Sequence, residues 1–452
     1  MGGYGQRAGK LSQSVNDRLL AKALYLSCGS ARFLMITADL ICIPNGLVHA
    51  VTEEISAKVP FETEQICITA SHTHSGPETM EFLTRTAEVE EYLRVLRSAL
   101  VTVAARAVED AEPCRIKTGT GRVDFLVNRR ATGDRNRVDD RTFALLAETS
   151  AKGRVKAVLF GCGCHAVTLG HDNRRISADY PGFAQRIIEE GTGAENALFF
   201  NMAEGNVIPD TREVWDSLDP RGYFGGTFKD AKDVGERLAR AVIDSLKQRP
   251  LSSEMFLASR KADCVMKPNL HDLDDDTASE ELAKYQSIIA EYLGEDSLKI
   301  SPEDLTPLST LWRDASLKVV EMEMSEAEMR RLMTAVCNYF VRLNKLFNPT
   351  QRNPIQMPVQ VVCIDEFNFL DLPGEILVEN AFDWKARNGE MAAESFVIGL
   401  ANGFMGYLPH KSNFEEPDAQ YRYETLMNAM EPAATDVALE VGTRLVSEIR
   451  RY

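Results

Sequence analysis

The stretch "RFLMITADLICIPNGLVHAVTEEISAKVPFETEQICITA", residues 32–70, decides the fold. Its two ends, "RFLMITADLICI" and "EQICITA", are short apolar runs of the kind that form buried strands. Between them "NGLVHAVTEEISAKV" returns apolar residues at helical spacing, so the stretch reads strand, helix, strand. That order marks an α/β protein. Upstream, "KALYLSC" adds another strand. Downstream, "EVEEYLRVLRSALVTVAARAVED" reads as a long helix with apolar residues every three or four positions.

Four later segments repeat one local pattern: "AVLFGCGCHAV", "ALFFNMAEGNVIPD", "VQVVCIDEFNFLDLPGE" and "SFVIGLANGFMGYLP". Each is a strand running into a loop that carries Gly or Pro, and such loops are where α/β proteins assemble their sites. Residues 251–354 differ, being helical in pattern and nearly free of strand signal. The expected architecture is therefore α/β, with layered mixed β-sheets flanked by helices. Residues 1–250 and 355–452 would form the catalytic domain, and 251–354 a helical insertion or lid. The acidic run Asp274–Asp276 matches no Ca²⁺ loop spacing and reads as a solvated approach to a helix.

Composition narrows the function. A formal charge of −16 argues against binding a phosphate backbone or an anionic membrane. No run approaches the roughly 18 apolar residues that span a bilayer. Nine cysteines with no Cys-x-x-Cys pair, and no charged-then-apolar leader, suit a cytoplasmic protein.

The chemistry gathers where strands end. "ICITASHTHSGPE" places His72 and His74 two residues apart just where a strand breaks, and in a strand such residues face one side. A metal ligand with a second working histidine would suit that geometry. His165, Glu375 and Tyr407 follow other strands, and imidazole, carboxylate and phenolate together make an N/O shell that Zn²⁺ accepts. Glu375 could instead cap the helix that follows it. Cys162 and Cys164 read as packed thiols, and His49, His171, His271 and His410 receive no role.

In their order, "MGGYGQR", "SHTHSGP", "NRR", "HAVTLGHDNRRISADYPG", "EGNVIPD", "LPGE" and "GYLP" followed by "YE" resemble the neutral/alkaline, non-lysosomal ceramidase family. The resemblance implies a zinc-dependent hydrolase that cleaves an amide bond. It implies that His72, His165, Glu375 and Tyr407 hold the zinc, with His74, Arg129 and Tyr423 on the substrate side. The chain departs from the family pattern at Ile208, where the family carries a serine implicated in catalysis. It also ends at Tyr452 with no C-terminal immunoglobulin-like domain, and both departures turn the expectation away from ceramide itself. The substrate expected is a small molecule with an amide or related acyl bond. Two rival readings are a metallohydrolase of an ester, lactone or phosphoester, and a catalytically silent metal- or ligand-binding protein.

Overall fold

The computed structural model describes residues 1–7, 10–59, 61–80, 87–129, 137–211, 218–220, 225–269, 275–295, 306–347, 354–392 and 394–451. His271 and Asp274 lie outside them. Strand Ala31–Ala38 pairs antiparallel with Ala21–Cys28 and parallel with Ile66–Ala70, and helix Asn45–Lys58 makes the crossover between the parallel pair. The strand, helix, strand reading of residues 32–70 therefore holds.

Two four-stranded sheets complete the layers. One runs in the order Asn196–Asn201, Val155–Cys162, Arg141–Thr149, Cys114–Arg122, and only its first pair is parallel. The other runs Leu257–Met266, Ile355–Ile364, Phe367–Asp371, Glu394–Ile398, and only its last pair is parallel. The three sheets bury a common apolar core in which Phe33, Phe143, Phe200, Phe367, Phe369 and Phe396 take part. Phe143 meets the Phe369 ring edge-on at 4.8 Å, the arrangement that ring quadrupoles favour.

Helices cover the outer faces. Asn45–Lys58 and Ala87–Glu109 bury their apolar sides on the first sheet, Asp179–Thr192 and Phe228–Ser245 on the second, and Val378–Asn388 and Ala434–Arg450 on the third. Local chemistry sets their ends. Thr227 and Asp230 form a reciprocal capping box at the start of Phe228–Ser245, and Gly193, at φ 70°, closes Asp179–Thr192 in the left-handed conformation that glycine adopts without strain. The layered mixed sheets flanked by helices are those the strand-end pattern led one to expect.

The stretch 251–354 needs one correction. Leu257–Met266 is a ten-residue strand paired along its length with Ile355–Ile364, so the sheet reaches into a segment read as helical. Its sequence "LASRKADCVM" escaped notice because an edge strand with one covered face tolerates Arg260, Lys261 and Asp263. Three helices follow, Asp275–Leu293, Thr306–Glu321 and Glu326–Phe347, packed on a core of their own that includes Leu282, Leu311, Leu332 and Val336.

Two buried carboxyls weaken the fold at high pH. Burial pushes Asp371, beside the Cys67 thiol, up to about 7, and pushes Asp39 up to about 6 although Leu20 and Gln185 donate hydrogen bonds to it. A carboxyl whose folded pKa is raised binds its proton more tightly folded than unfolded. Stability is therefore lost as pH rises from 3.8 through 7, by up to about 4 kcal/mol for Asp371. Asp371→Asn is expected to raise the unfolding free energy at pH 8 and to flatten its decline between pH 4 and 7. Denaturant unfolding across that range checks this, and an unchanged pH profile would refute it.

Candidate metal centre

The loop after Ile66–Ala70 brings His72 and His74 together by a different route from strand alternation. The strand has ended, and His72 sits at φ 65°, a left-handed conformation unusual for a side chain with a Cβ. The two rings nevertheless meet edge-on at 4.8 Å, and His165 lies 4.8 Å from His72. Glu375 and Tyr407 are direct register partners in a two-residue parallel pairing, so their side chains start from adjacent backbone positions. Glu375 therefore serves this pairing, and Leu377, two residues on, stands at the N-cap of the helix that follows.

The side chains converge. The Glu375 Oε2 atom lies 3.1 Å from His165 Nε2 and 3.4 Å from His72 Nε2. On the far side of each ring, His72 Nδ1 is 2.7 Å from the Ile41 carbonyl and His165 Nδ1 is 2.6 Å from the Glu204 carbonyl. A carbonyl only accepts, so each Nδ1 carries a proton, and each Nε2 is the atom turned toward Glu375. Burial, with the Arg129 charge, pushes His165 down to about 3. Burial would raise Glu375, but the adjacent His72 and His165 outweigh it and hold the carboxyl well below its usual range. Two imidazole nitrogens and a carboxylate oxygen thus face one another in a buried cluster.

That arrangement fits a divalent cation. Ligand atoms about 2.0–2.1 Å from a tetrahedral metal stand about 3.3 Å apart, close to the 3.1 and 3.4 Å separations here. The Tyr407 phenol is linked to Glu375 and receives a hydrogen bond from Arg129 Nη2 at 3.2 Å. Burial and the Glu375 charge push that phenol well above its usual value, where only a cation would favour its ionised form.

His74 differs from its two neighbours. Its Nε2 lies 3.2 Å from His72 Nε2, close enough for His72, His74 and His165 to form a three-nitrogen group. Its Nδ1, however, is buried with no hydrogen-bond partner, whereas metal-bound histidines ordinarily anchor that second nitrogen. The 3.2 Å contact lets one of these two Nε2 atoms donate to the other. Burial and the two neighbouring histidines push His74 well below its usual value.

Arg129 and Tyr423 stand on the Tyr407 side. Arg129 pairs with Glu424 at 2.8 Å and donates to the Gly205 carbonyl at 2.6 Å, and the Tyr423 and Tyr407 rings are 5.5 Å apart. The arginine that reaches the His74 backbone is Arg7. Ile208 is buried against Tyr4 and Val167, so the position where a serine was looked for belongs to an apolar cluster. Sequence reasoning also missed Glu204. Both of its carboxyl oxygens are buried without a partner, and burial and the Glu375 charge push it well above its usual range. A second acidic group, Asp383, His410 and Asp436, has its charge answered by Arg387 and Lys411, 2.6 and 3.0 Å from Asp436.

Layered α/β sheets whose strand ends gather buried imidazoles around a carboxylate define a class of protein with a candidate metal-binding cluster. Comparison with known proteins makes the assignment particular. Residues 1–216 match the family described as neutral/alkaline non-lysosomal ceramidase, N-terminal, so that part of the chain is similar to this family. No curated protein matches the sequence. The neutral ceramidase from Pseudomonas aeruginosa superposes with a TM-score of 0.67 at 17% identity, over all of this chain and 72% of that one. A structure described as ceramidase complexed with C2 gives 0.67 at 16% identity, with the same coverage. At those identities the likeness establishes the fold.

Metal-stripped protein titrated with Co²⁺ is expected to bind one equivalent, with the visible absorption of a low-coordinate N/O site. His165→Ala should weaken that binding by at least about 100-fold. Unaltered Co²⁺ affinity in this variant would eliminate the centre.

Proposed function

We propose that the chain is a zinc-dependent amidohydrolase acting on a small substrate with an acyl–nitrogen bond, and that ceramide is not its substrate. The observation that carries the reading is the convergence of two Nδ1-anchored imidazoles on the ionised Glu375. His72, His165, Glu375 and Tyr407 would hold the zinc. When bound, zinc polarises a carbonyl and lowers the pKa of water.

The protein's own groups supply positioning and proton handling. His74 is neutral and turns Nε2 toward the centre, so it can pass a proton to a departing amine and take one up again. Arg129 is fixed by Glu424 and the Gly205 carbonyl, which keeps its positive charge beside the Tyr407 phenol, where developing negative charge is stabilised. Tyr423 extends the Tyr407 ring toward Trp312, 5.6 Å away, and so carries an aromatic wall out to the helices between Asp275 and Phe347. Those helices act as a lid on a catalytic domain made of the flanking regions. Nine cysteines without a disulfide suit the reducing cytoplasm.

His74→Ala is expected to keep one zinc per chain while lowering turnover by roughly 10²- to 10⁴-fold on short-chain N-acyl amides. Elemental analysis beside steady-state kinetics checks both halves. Loss of zinc, or wild-type turnover, would show that His74 has another task.

A further inference from the structure

Arg7 is an unusual residue to find at 1% exposure. Its guanidinium is surrounded by backbone carbonyls. Nη1 donates to Gly2 at 2.7 Å and to His74, Nη2 to Gly170 at 3.0 Å, and Nε to His171 at 3.3 Å. Among the described residues no carboxylate forms an ion pair with it. A buried charge without a counter-charge is expensive unless fixed dipoles replace its hydration, and four carbonyl oxygens do that here. They come from three separate stretches: the N-terminal segment, the loop of His72 and His74, and the loop that follows His165.

The same segment shapes the surroundings of the His74 ring. Gly3 has φ +90°, and a Cβ placed there would stand 2.7 Å from His74 Cγ and Nδ1, so the backbone lies flat on the imidazole as only glycine allows. The Tyr4 ring meets His74 edge-on with centroids 4.9 Å apart, and its hydroxyl donates to the Leu169 carbonyl at 2.9 Å. The Arg7 guanidinium lies 4.8 Å from the centre of that Tyr4 ring. Neither nitrogen of His74 is bonded to a backbone carbonyl, the anchor that orients His72 and His165. Apart from the Nε2 contact with His72, its orientation has to come from packing and from its own main chain.

We infer that Arg7 is the positioning residue of His74: through the His74 carbonyl and the Gly3–Tyr4 wall it fixes an imidazole whose outer nitrogen has no anchor of its own. The inference rests on the role proposed for His74. Arg7 touches no reacting atom and acts only through that ring and its main chain. A lysine can reach part of the carbonyl cluster, but its single ammonium cannot reproduce the planar fork that spans three stretches.

Arg7→Gln and Arg7→Lys, compared as zinc-loaded full-length proteins, test this. Arg7→Gln is expected to lower kcat by about 10- to 100-fold, with KM changed less than about threefold and one zinc retained, since small displacements of a positioned group act on turnover. Arg7→Lys should recover part of the loss. A second readout needs no substrate. Diethyl pyrocarbonate, with modified histidines located by peptide mass, should leave wild-type His74 protected and label it at least about ten times faster in Arg7→Gln, with Arg7→Lys between them. If Arg7→Gln does not fold, Arg7→Lys alone decides by the same labelling. Unchanged His74 labelling in a folded variant overturns the inference, as does an effect confined to KM or to zinc content. If the wild type hydrolyses no acyl compound, the catalytic reading fails, while the labelling still judges whether Arg7 holds His74.

Discussion

The meeting of two imidazole nitrogens and one carboxylate oxygen constrains this molecule more than any other interaction. His72 Nε2 and His165 Nε2 lie 3.4 and 3.1 Å from Glu375 Oε2 in the dry interior, where a contact of this kind is favourable with a proton or a cation between the atoms, and low dielectric makes that requirement strict. The surrounding structure holds them in place. The Ile41 and Glu204 carbonyls fix the outer nitrogens of the rings, and the strand pairing of Glu375 with Tyr407 fixes the carboxylate. Left-handed backbone at His72 is part of the same constraint, since it turns the ring back into the fold at the end of its strand. The scaffold thus holds these groups at separations that a bound cation would also require.

Much of this was legible in the sequence. The runs at residues 32–43 and 64–70 gave the parallel pair directly, because strands buried between layers are almost continuously apolar. The same pattern marked the loops that deliver His165, Glu375 and Tyr407. Two features were not legible. Leu257–Met266 hides as a strand because its polar residues sit where an edge strand can expose them. Arg7 and Glu204 were missed because their significance lies in what surrounds them. Neither the four carbonyls around a guanidinium nor the absence of partners around a carboxyl leaves a trace in the local pattern. The pairing of His72 and His74 was read from strand periodicity and arose from a turn, so the outcome was right for a reason the chain does not use.

The neighbours of the three histidines explain how similar groups can be made different. Each is a buried imidazole within one small volume, yet only two have an outer nitrogen tied to a carbonyl. The third is enclosed by a glycine backbone and a tyrosine edge. Ile208 strengthens that enclosure, since it packs with Tyr4 and Val167. Substituting an apolar side chain for a hydroxyl there removes a group able to exchange protons and leaves a firmer wall behind the His74 loop.

The contacts that make the centre join parts of the chain far apart in sequence. His165 and Glu375 are separated by 210 residues, Arg129 and Tyr407 by 278, and Arg129 and Glu424 by 295. Closing loops of that length is entropically slow, and their contacts reward the chain only after closure. A ribosome must therefore release nearly the whole polypeptide before the ligand cradle exists. The candidate ligands thus come together late, and a chain truncated before Glu375 has only part of the cluster.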